Sequence, residues 1–487
     1  MPKSIIIIGG GIAGLSSGIY ARLNGFETDI YEMHTIAGGL CTAWKKKDYI
    51  FDGCISWLTG TDPKSSYYKL WEDIGGVQGK EFFYYDYFAK VRDQRGNIMT
   101  FYTDPDKLLE QMMILTPEDK KIIREIINDI KKFMKYEMPA EFRISEILKL
   151  LPAIRLFYKY RISTTDLAAK CKSPTLRYFI TQSLDWHGMP VAFSLWTIGL
   201  MASRNGGYPM GGSLGFINSV VERYEKLGGR IHYHSKVEEI LVENNKATGI
   251  RLKNGEVQKA DYVLSAADGH STIFEWLGGR YINKRIERLY KELEPFPPLV
   301  FVSLGINADY PDAPLTYTFP LEKPFSVGPD EIKDLTIKNS SFDRALCPSG
   351  KTNLSIMFPS NYEYWERLKQ EKEKYRTEKK MIEENVISAI SGIYPGIKEQ
   401  IEVVDVATPM TFNRYTGNWK GSYEGWLLTR KSMTIQLPQT LPGLENFYMA
   451  GHWITPGGGL PSGLITGRIA IKKICKKEGI KFSPAKP

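Results

Sequence analysis

Three glycines, Gly9, Gly11 and Gly14, follow directly on the apolar run Ile5 to Ile8, and a carboxylate, Glu32, comes 18 residues after the last of them. Together they read as a strand, a glycine turn and a helix, then a second strand ending in an acid. In such a turn the first glycine permits the tight bend and the second lets the backbone approach a pyrophosphate. The third lets helix and strand pack closely. The pyrophosphate rests on the helix N-terminus, where free N–H groups and the helix dipole favour negative charge. Glu32 can accept both hydroxyls of an adenosine ribose and would repel a 2′-phosphate. These residues specify an adenosine dinucleotide and leave NAD and FAD both open.

Glycines further along separate the two. Gly38-Gly39-Leu40 stands six to eight positions after Glu32, and the C-terminal stretch AGHWITPGGGLPSGLITGRIA places another glycine-rich turn before a helix. That second helix N-terminus is available to the far end of an elongated cofactor. The segment GGYPMGGSLG is also glycine-rich but follows no apolar strand, so the sequence holds no second complete fingerprint. One elongated site, served from both ends of the chain, fits FAD better than NAD.

His452, in the C-terminal loop, is the candidate catalytic residue. An imidazole there could protonate or orient a substrate, or only hydrogen-bond the cofactor. His232 and His234 form HxH on an expected strand, both on one face. Without a third ligand of matching pattern they read as exposed strand histidines, and no metal is expected. Asp185-Trp186-His187 could set an acid/base pair and an aromatic wall beside a substrate, or simply pack. Five scattered cysteines without a CxxC (Cys41, Cys54, Cys171, Cys347, Cys475) read as reduced intracellular thiols. A serine nucleophile elbow, a Walker loop and a zincin motif are all missing from the sequence, which leaves hydrolase and kinase chemistry without support.

The elements that must position these residues recur along the chain. At 487 residues it is too long for one simple core. Nucleotide-fold texture occurs in residues 1–85, 205–275 and 441–487, separated by inserts at 86–204 and 276–440. The expectation is an α/β protein with a discontinuous Rossmann-like FAD-binding domain and an inserted α+β substrate domain. Within the inserts, Phe82 to Tyr102 reads as β-rich and aromatic. A helix starts at Thr116-Pro117-Glu118-Asp119 with a threonine cap and acids in its first turn. One highly charged helix runs from Tyr362 to about Ile390.

Composition and charge bound the partners. The net charge of +9 is moderate, and 43% hydrophobic with 24% charged residues is ordinary for a folded chain. The N-terminal apolar run is too short for a secretory signal, and no window reaches the about 20 apolar residues of a membrane span. The segment Arg143 to Arg161, RISEILKLLPAIRLFYKYR, sets five basic residues against Glu146 alone, interleaved with apolar ones. It can lie in a headgroup layer, or dock as a helical lid kinked at Pro152. Lys472, Lys473, Lys476 and Lys477 could assist it or form a solvated helix end. Without a recognition motif, nucleic acid is not an expected partner. The expected setting is cytoplasmic, with that basic segment as the one route to peripheral contact with the inner face of a membrane. The sequence does not specify an oligomeric state.

Across its whole length the chain resembles the phytoene desaturase-like FAD oxidoreductases, which include carotenoid desaturases, carotenoid isomerases and retinol saturases. The resemblance rests on GGGIAGLSSG…YE, AGGLCTAWKKKDYIFDGCISWL, YPMGGSLGFINSVVERYEKLGGRI with ADYVLSAAD, LCPSGKTNLSIMFPS, ATPMTFNRYTGNWKGSYEG and AGHWITPGGGLPSGLITGRIA. It implies FAD as cofactor and a long apolar polyene or isoprenoid-like substrate in a tunnel that often reaches a membrane. It assigns Gly9, Gly11, Ala13, Gly14 and Glu32 to the adenosine and pyrophosphate portion. Gly38, Gly39 and Leu40 follow as the second glycine pair, and Val237 as an adenine-side backbone contact. Gly451 and the Pro461 to Leu464 loop, with Gly463, fall beside the flavin. His452-Trp453 departs from the small residues many desaturases carry there. The loop has no cysteine, which argues against an 8α-thioether to the flavin. Dehydrogenation of a carbon–carbon bond is the expected reaction. Saturation or cis–trans isomerisation from reduced flavin stays open, as do a flavin amine oxidase and a flavin- and lipid-binding protein without turnover.

Overall fold

The structure is a computed structural model and describes residues 2–137, 151–185 and 188–484. Residues 143–150 of the basic segment, and Trp186 and His187 of the acid/base candidate, lie outside the described residues.

The chain begins with strand β1 (Ser4–Ile8), helix α1 (Ile12–Leu23) and strand β2 (Glu27–Tyr31). In β1, Ile5 and Ile7 pack into one core and Ile6 and Ile8 into another, so both faces of the strand are buried. A parallel strand covered on both sides reads as a continuous apolar run for this reason. β1 lies at the centre of a five-stranded parallel sheet in the order Arg230–His232, β2, β1, Tyr262–Ser265, Phe447–Met449. Three stretches of chain far apart in sequence therefore share one sheet.

α1 is buried on all but one residue, because two further helices close on it. The C-terminal helix Gly459–Lys477 approaches so closely that a Cβ at Gly463 would meet Ile12 Cγ2 at 2.5 Å, and one at Gly467 would meet Ala13 O at 2.7 Å. The Ser16 hydroxyl donates to Leu464 O across this seam at 2.9 Å. The helix Gly212–Lys226 brings the Tyr224 ring against Gly18.

The two inserts meet in one seven-stranded sheet. Its order is Ile401–Ala407, Leu299–Ile306, Thr352–Pro359, Asp330–Asn339, Thr316–Val327, Tyr87–Arg92, Ile98–Tyr102. Every pairing is antiparallel except that of Thr316–Val327 with Tyr87–Arg92. The helix Lys120–Phe133 packs its stripe of Ile123, Ile126, Ile127, Ile130 and Phe133 among neighbouring helices beside this sheet. The inserted region is thus an α+β unit, as expected.

Several local expectations change. Thr116 does not cap the Lys120–Phe133 helix: its hydroxyl turns back to Met112 O at 2.9 Å, and a 3₁₀ turn, Pro117–Asp119, intervenes. The Asp119 carboxylate accepts from the Lys172 and Ser173 N–H groups, both at 2.7 Å, and so ties down the start of the helix Pro174–Ser183. The charged helix is two helices, Tyr362–Leu368 and Lys372–Ser391. His232 ends its strand, and His234 takes a positive φ of 56° off it, so the two rings do not share a face. His232 instead stacks on Tyr31 and meets Asp29 Oδ1 at 2.8 Å. Among the described residues no acidic, histidine or cysteine cluster could hold a metal, and no helix is long and apolar enough to cross a membrane.

Candidate functional site

A cavity of about 880 Å³ runs from the β1–α1 turn to the loop before the C-terminal helix, a size typical of cofactor and ligand sites. Gly9, Gly11, Ala13, Glu32, Gly38, Gly39, Leu40, Val237, Gly451, His452 and Gly463 all line it. Gly14, Pro461 and Leu464 do not. Gly14 sits where a Cβ would lie 2.0 Å from Gly9 O, so its part is to let α1 pack on the turn. Leu464 is fully buried in the core between α1 and the C-terminal helix.

One end is built from backbone. Gly9 takes φ +96°, which a side chain would resist. Gly38 N donates to Gly10 O at 2.9 Å, and Gly11 bridges Gly38, so the second glycine pair is strapped to the first turn. The buried Glu32 carboxylate accepts from Gly10 N at 2.7 Å and His34 N at 2.8 Å. Each oxygen keeps a lone pair for a ribose hydroxyl. Val237, at the start of strand Val237–Glu243, flanks this end.

Helix termini show which anions the site can take. α1 begins at Gly11 with no side chain capping it. The C-terminal helix begins after Gly458, also without a side-chain cap, and its Gly459, Leu460 and Gly463 reach the same cavity. Two helix N-termini therefore present N–H groups to one cavity, the arrangement that holds anionic and electron-rich groups. The Gly212–Lys226 helix contrasts with both. Asp52 Oδ2 accepts from Ser213 N at 2.7 Å and Asp343 Oδ2 from Gly211 N at 2.8 Å, so carboxylates already fill that glycine loop. These features fit an elongated adenosine dinucleotide, with its pyrophosphate at α1 and its far end at the C-terminal helix.

The other end carries titratable side chains. Burial pushes the Glu424 carboxyl up to about 7 and holds the His452 imidazole down to about 4, since a desolvated site disfavours the charged form of either. Near neutral pH His452 is a neutral base and Glu424 is divided between acid and carboxylate. Both line the same cavity, each packed against a glycine turn. A Cβ at Gly425 would meet His452 Cδ2 at 2.7 Å, and one at Gly458 would meet Glu424 Oε2 at 2.8 Å. Among the described residues neither side chain has a hydrogen-bond partner in the protein. Beside them the Tyr423 hydroxyl donates to Gly53 O at 2.5 Å and is not free to shuttle protons. Asp268, pushed up to about 6 by burial, accepts from Ser271 N at 2.7 Å and Trp419 N at 3.0 Å and clamps the cavity wall.

Sequence reasoning placed His452 here but missed Glu424, Asp268, Cys41 and Cys54, all of which line the cavity. The only signal for Glu424 was a single acid set between Tyr423 and Gly425-Trp426.

The family model for flavin containing amine oxidoreductases matches residues 12–474. The chain is 23% identical over 521 residues to the chloroplastic prolycopene isomerase of Daucus carota, covering 98% of this chain and 80% of that protein. It is 23% identical over 511 residues to the 4,4'-diaponeurosporene oxygenase of Staphylococcus haemolyticus, covering 97% of each. Among solved structures, an oxidoreductase from Methanosarcina mazei superposes with a TM-score of 0.61 at 17% identity, over 96% of this chain and 100% of that one. Putrescine oxidase with bound putrescine gives 0.60 at 11% identity, over 98% and 99%.

Proposed function

The chain belongs to the flavin containing amine oxidoreductase family, and on that premise we propose that it acts on the conjugated carbon–carbon bonds of a long apolar polyene or isoprenoid-like lipid. FAD is its cofactor. The observation that carries the substrate class is likeness along nearly the whole chain to proteins that modify carotenoids, a prolycopene isomerase and a diaponeurosporene oxygenase. Residues 1–85, 205–275 and 441–487 are assigned to the cofactor domain, and 86–204 with 276–440 to the substrate domain.

Gly9, Gly11, Ala13 and the α1 N-terminus would hold the pyrophosphate, with Glu32 on the ribose and Val237 beside the adenine. Gly38, Gly39 and Leu40 would close over this half, and Gly451 with Gly463 would flank the isoalloxazine ring. When bound, FAD supplies hydride transfer to or from carbon. The protein supplies alignment, exclusion of water and a place for the proton. His452 can take a proton at its imidazole nitrogen as it leaves an allylic carbon. Glu424 can give one at its carboxyl oxygen, and among the described residues neither group has a hydrogen-bond partner in the protein.

Isomerisation is the second reading. Glu424 as donor and His452 as acceptor on one cavity suit protonation of a polyene carbon, rotation in the resulting cation and loss of a proton from that same carbon, with no net change in oxidation state. The likeness to a prolycopene isomerase favours it.

The substrate also bears on membrane contact. The helix Leu151–Lys159 leaves Leu151, Ile154 and Tyr158 exposed on one stripe, with Arg155 and Lys159 on the same helix. Such a face suits peripheral contact with an anionic lipid surface from which a polyene could be drawn.

Anaerobic mixing tests the function. Polyene hydrocarbons should bleach the oxidised flavin, or change their own absorption without bleaching it, and primary amines should do nothing. Bleaching by an amine, with peroxide released on re-aeration, would overturn the polyene reading.

A further inference from the structure

Cys41 and Cys54 take no part in the chemistry described, yet both line the cavity as free thiols, and Cys41 is only 2% exposed. The hairpin between them sets their relation. Strands β3 (Ala43–Lys46) and β4 (Tyr49–Asp52) pair antiparallel, with Lys46 opposite Tyr49 and Ala43 opposite Asp52. Gly53 N donates to Thr42 O at 3.2 Å, which carries the ladder one step further. The ladder ends at that rung, because Thr42 N turns back to Leu40 O at 2.9 Å, and Cys41 and Cys54 are the next residues on either side of it. Residues facing each other across an antiparallel pair have Cα atoms about 4.5–5.5 Å apart, within the roughly 4.4–6.8 Å that a disulfide spans.

Neighbouring groups agree with this register. The Cys41 thiol is the first influence on Cys54, raising its pKa through side-chain contact, with burial second. Lys338, fixed by Ile55 O at 3.3 Å and Ser56 Oγ at 3.2 Å, packs against the segment that follows Cys54. Cys41 N also donates to Gly38 O at 3.0 Å, so one cysteine is anchored to the second glycine pair.

We propose that Cys41 and Cys54 form a redox modification site, which a low-molecular-weight disulfide oxidises to a cross-strand disulfide in the cavity wall and which bound FAD shields. One cysteine attacks a sulfur of the small disulfide and releases one small thiol, leaving a mixed disulfide. The second cysteine then displaces the other small thiol. Two S–H bonds break in the protein and one S–S bond forms there. The two electrons and two protons leave on the two small thiols. The shielding rests on the cofactor occupying this cavity and not on the polyene reading.

Flavin-free and flavin-loaded protein would be incubated with oxidised glutathione, alkylated, digested without reduction and mapped by mass spectrometry. The flavin-free chain should yield a linked Cys41–Cys54 peptide short of two hydrogens, with the other three cysteines unlinked. The flavin-loaded chain should form it at least about tenfold more slowly, because exchange depends on access. Cys54→Ser should leave Cys41 as a mixed disulfide with glutathione, and Cys41→Ser the reverse. Both cysteines alkylated singly in flavin-free protein would overturn the pairing. Equal rates with and without flavin would overturn the shielding and leave polyene turnover untouched.

Discussion

At the Gly9–Glu32 end of the cavity the contacts come from backbone, whereas at the Glu424–His452 end they come from side chains. The first end holds its one carboxylate with two N–H donors and keeps Cβ atoms out. Among the described residues the second leaves a carboxyl and an imidazole without protein hydrogen-bond partners, displaced in opposite directions by the same burial. Binding a constant part of a cofactor calls for fixed N–H groups, and proton handling calls for groups whose charge can change. The backbone end should therefore fail by sterics, and the side-chain end by protonation.

Gly14→Ala should be the most damaging change. Its Cβ would sit 2.0 Å from Gly9 O, with the strand below and no flexible side chain to yield. Loss of about 1–3 kcal/mol of stability, the usual range for overpacking, should appear in denaturant unfolding, together with flavin-free protein on purification. Normal stability and full flavin content would break the comparison at its backbone end.

Glu32→Ala should do less to the fold and more to the cofactor. The Gly10 and His34 N–H groups lose their charged acceptor, and the ribose hydroxyls lose theirs. Charged hydrogen bonds of about 1.5–3 kcal/mol correspond to FAD binding weakened roughly 10- to 100-fold, readable by fluorescence titration.

Glu424→Gln sharpens the other end. The folded-state pKa of Glu424 is raised, so the stability tied to its neutral form is fully present below its ordinary 4.5 and is lost as pH rises through about 7. Glutamine removes that loss. Cofactor-free variant and parent should match near pH 4, and the variant should be the more stable at pH 8. The full shift corresponds to about 3 kcal/mol, which solvent in the open cavity reduces to about 1–2 kcal/mol. His452 runs the other way, since its lowered pKa costs stability as pH falls from its ordinary 6.5 to about 4. A variant that gains at acid pH instead would contradict the burial of Glu424.

Ile154→Glu should have the smallest effect on the molecule itself. The residue is 48% exposed, so stability should stay within about 0.5 kcal/mol, while sedimentation with anionic vesicles should fall. Unchanged vesicle binding would remove the Leu151–Lys159 helix from the account.

The same contrast decided what could be read from sequence. The fingerprint from Gly9 to Glu32 lies in one short stretch, and each glycine has a local reason to be there, so spacing alone located it. Leu464 lies in the core and off the cavity because its segment starts a helix that directs Gly463 and Gly467 at α1 and turns Leu464 inward. Glu424 owes its environment to Gly458, far along the chain, and one acid in a loop has no periodicity to betray that. The Cys41–Cys54 pair depended on a hairpin whose turn lacks glycine. Lys47 supplies the positive φ, 51°, that Asn-Gly or Gly would normally signal. His234 leaves its strand by the same device at φ 56°, which broke the expected HxH face.

The most direct test of the account is product analysis. A cis-configured carotenoid would be incubated with flavin-loaded protein, once with the flavin oxidised and once with it chemically reduced, and the products separated by chromatography and weighed by mass spectrometry. A changed polyene is expected in at least one state: a product lighter by two hydrogens from the oxidised protein, or one of equal mass and new geometry from the reduced. Glu424→Gln should slow that conversion while keeping its flavin. An unchanged polyene in both states, from protein that retains FAD and oxidises an amine, would contradict it.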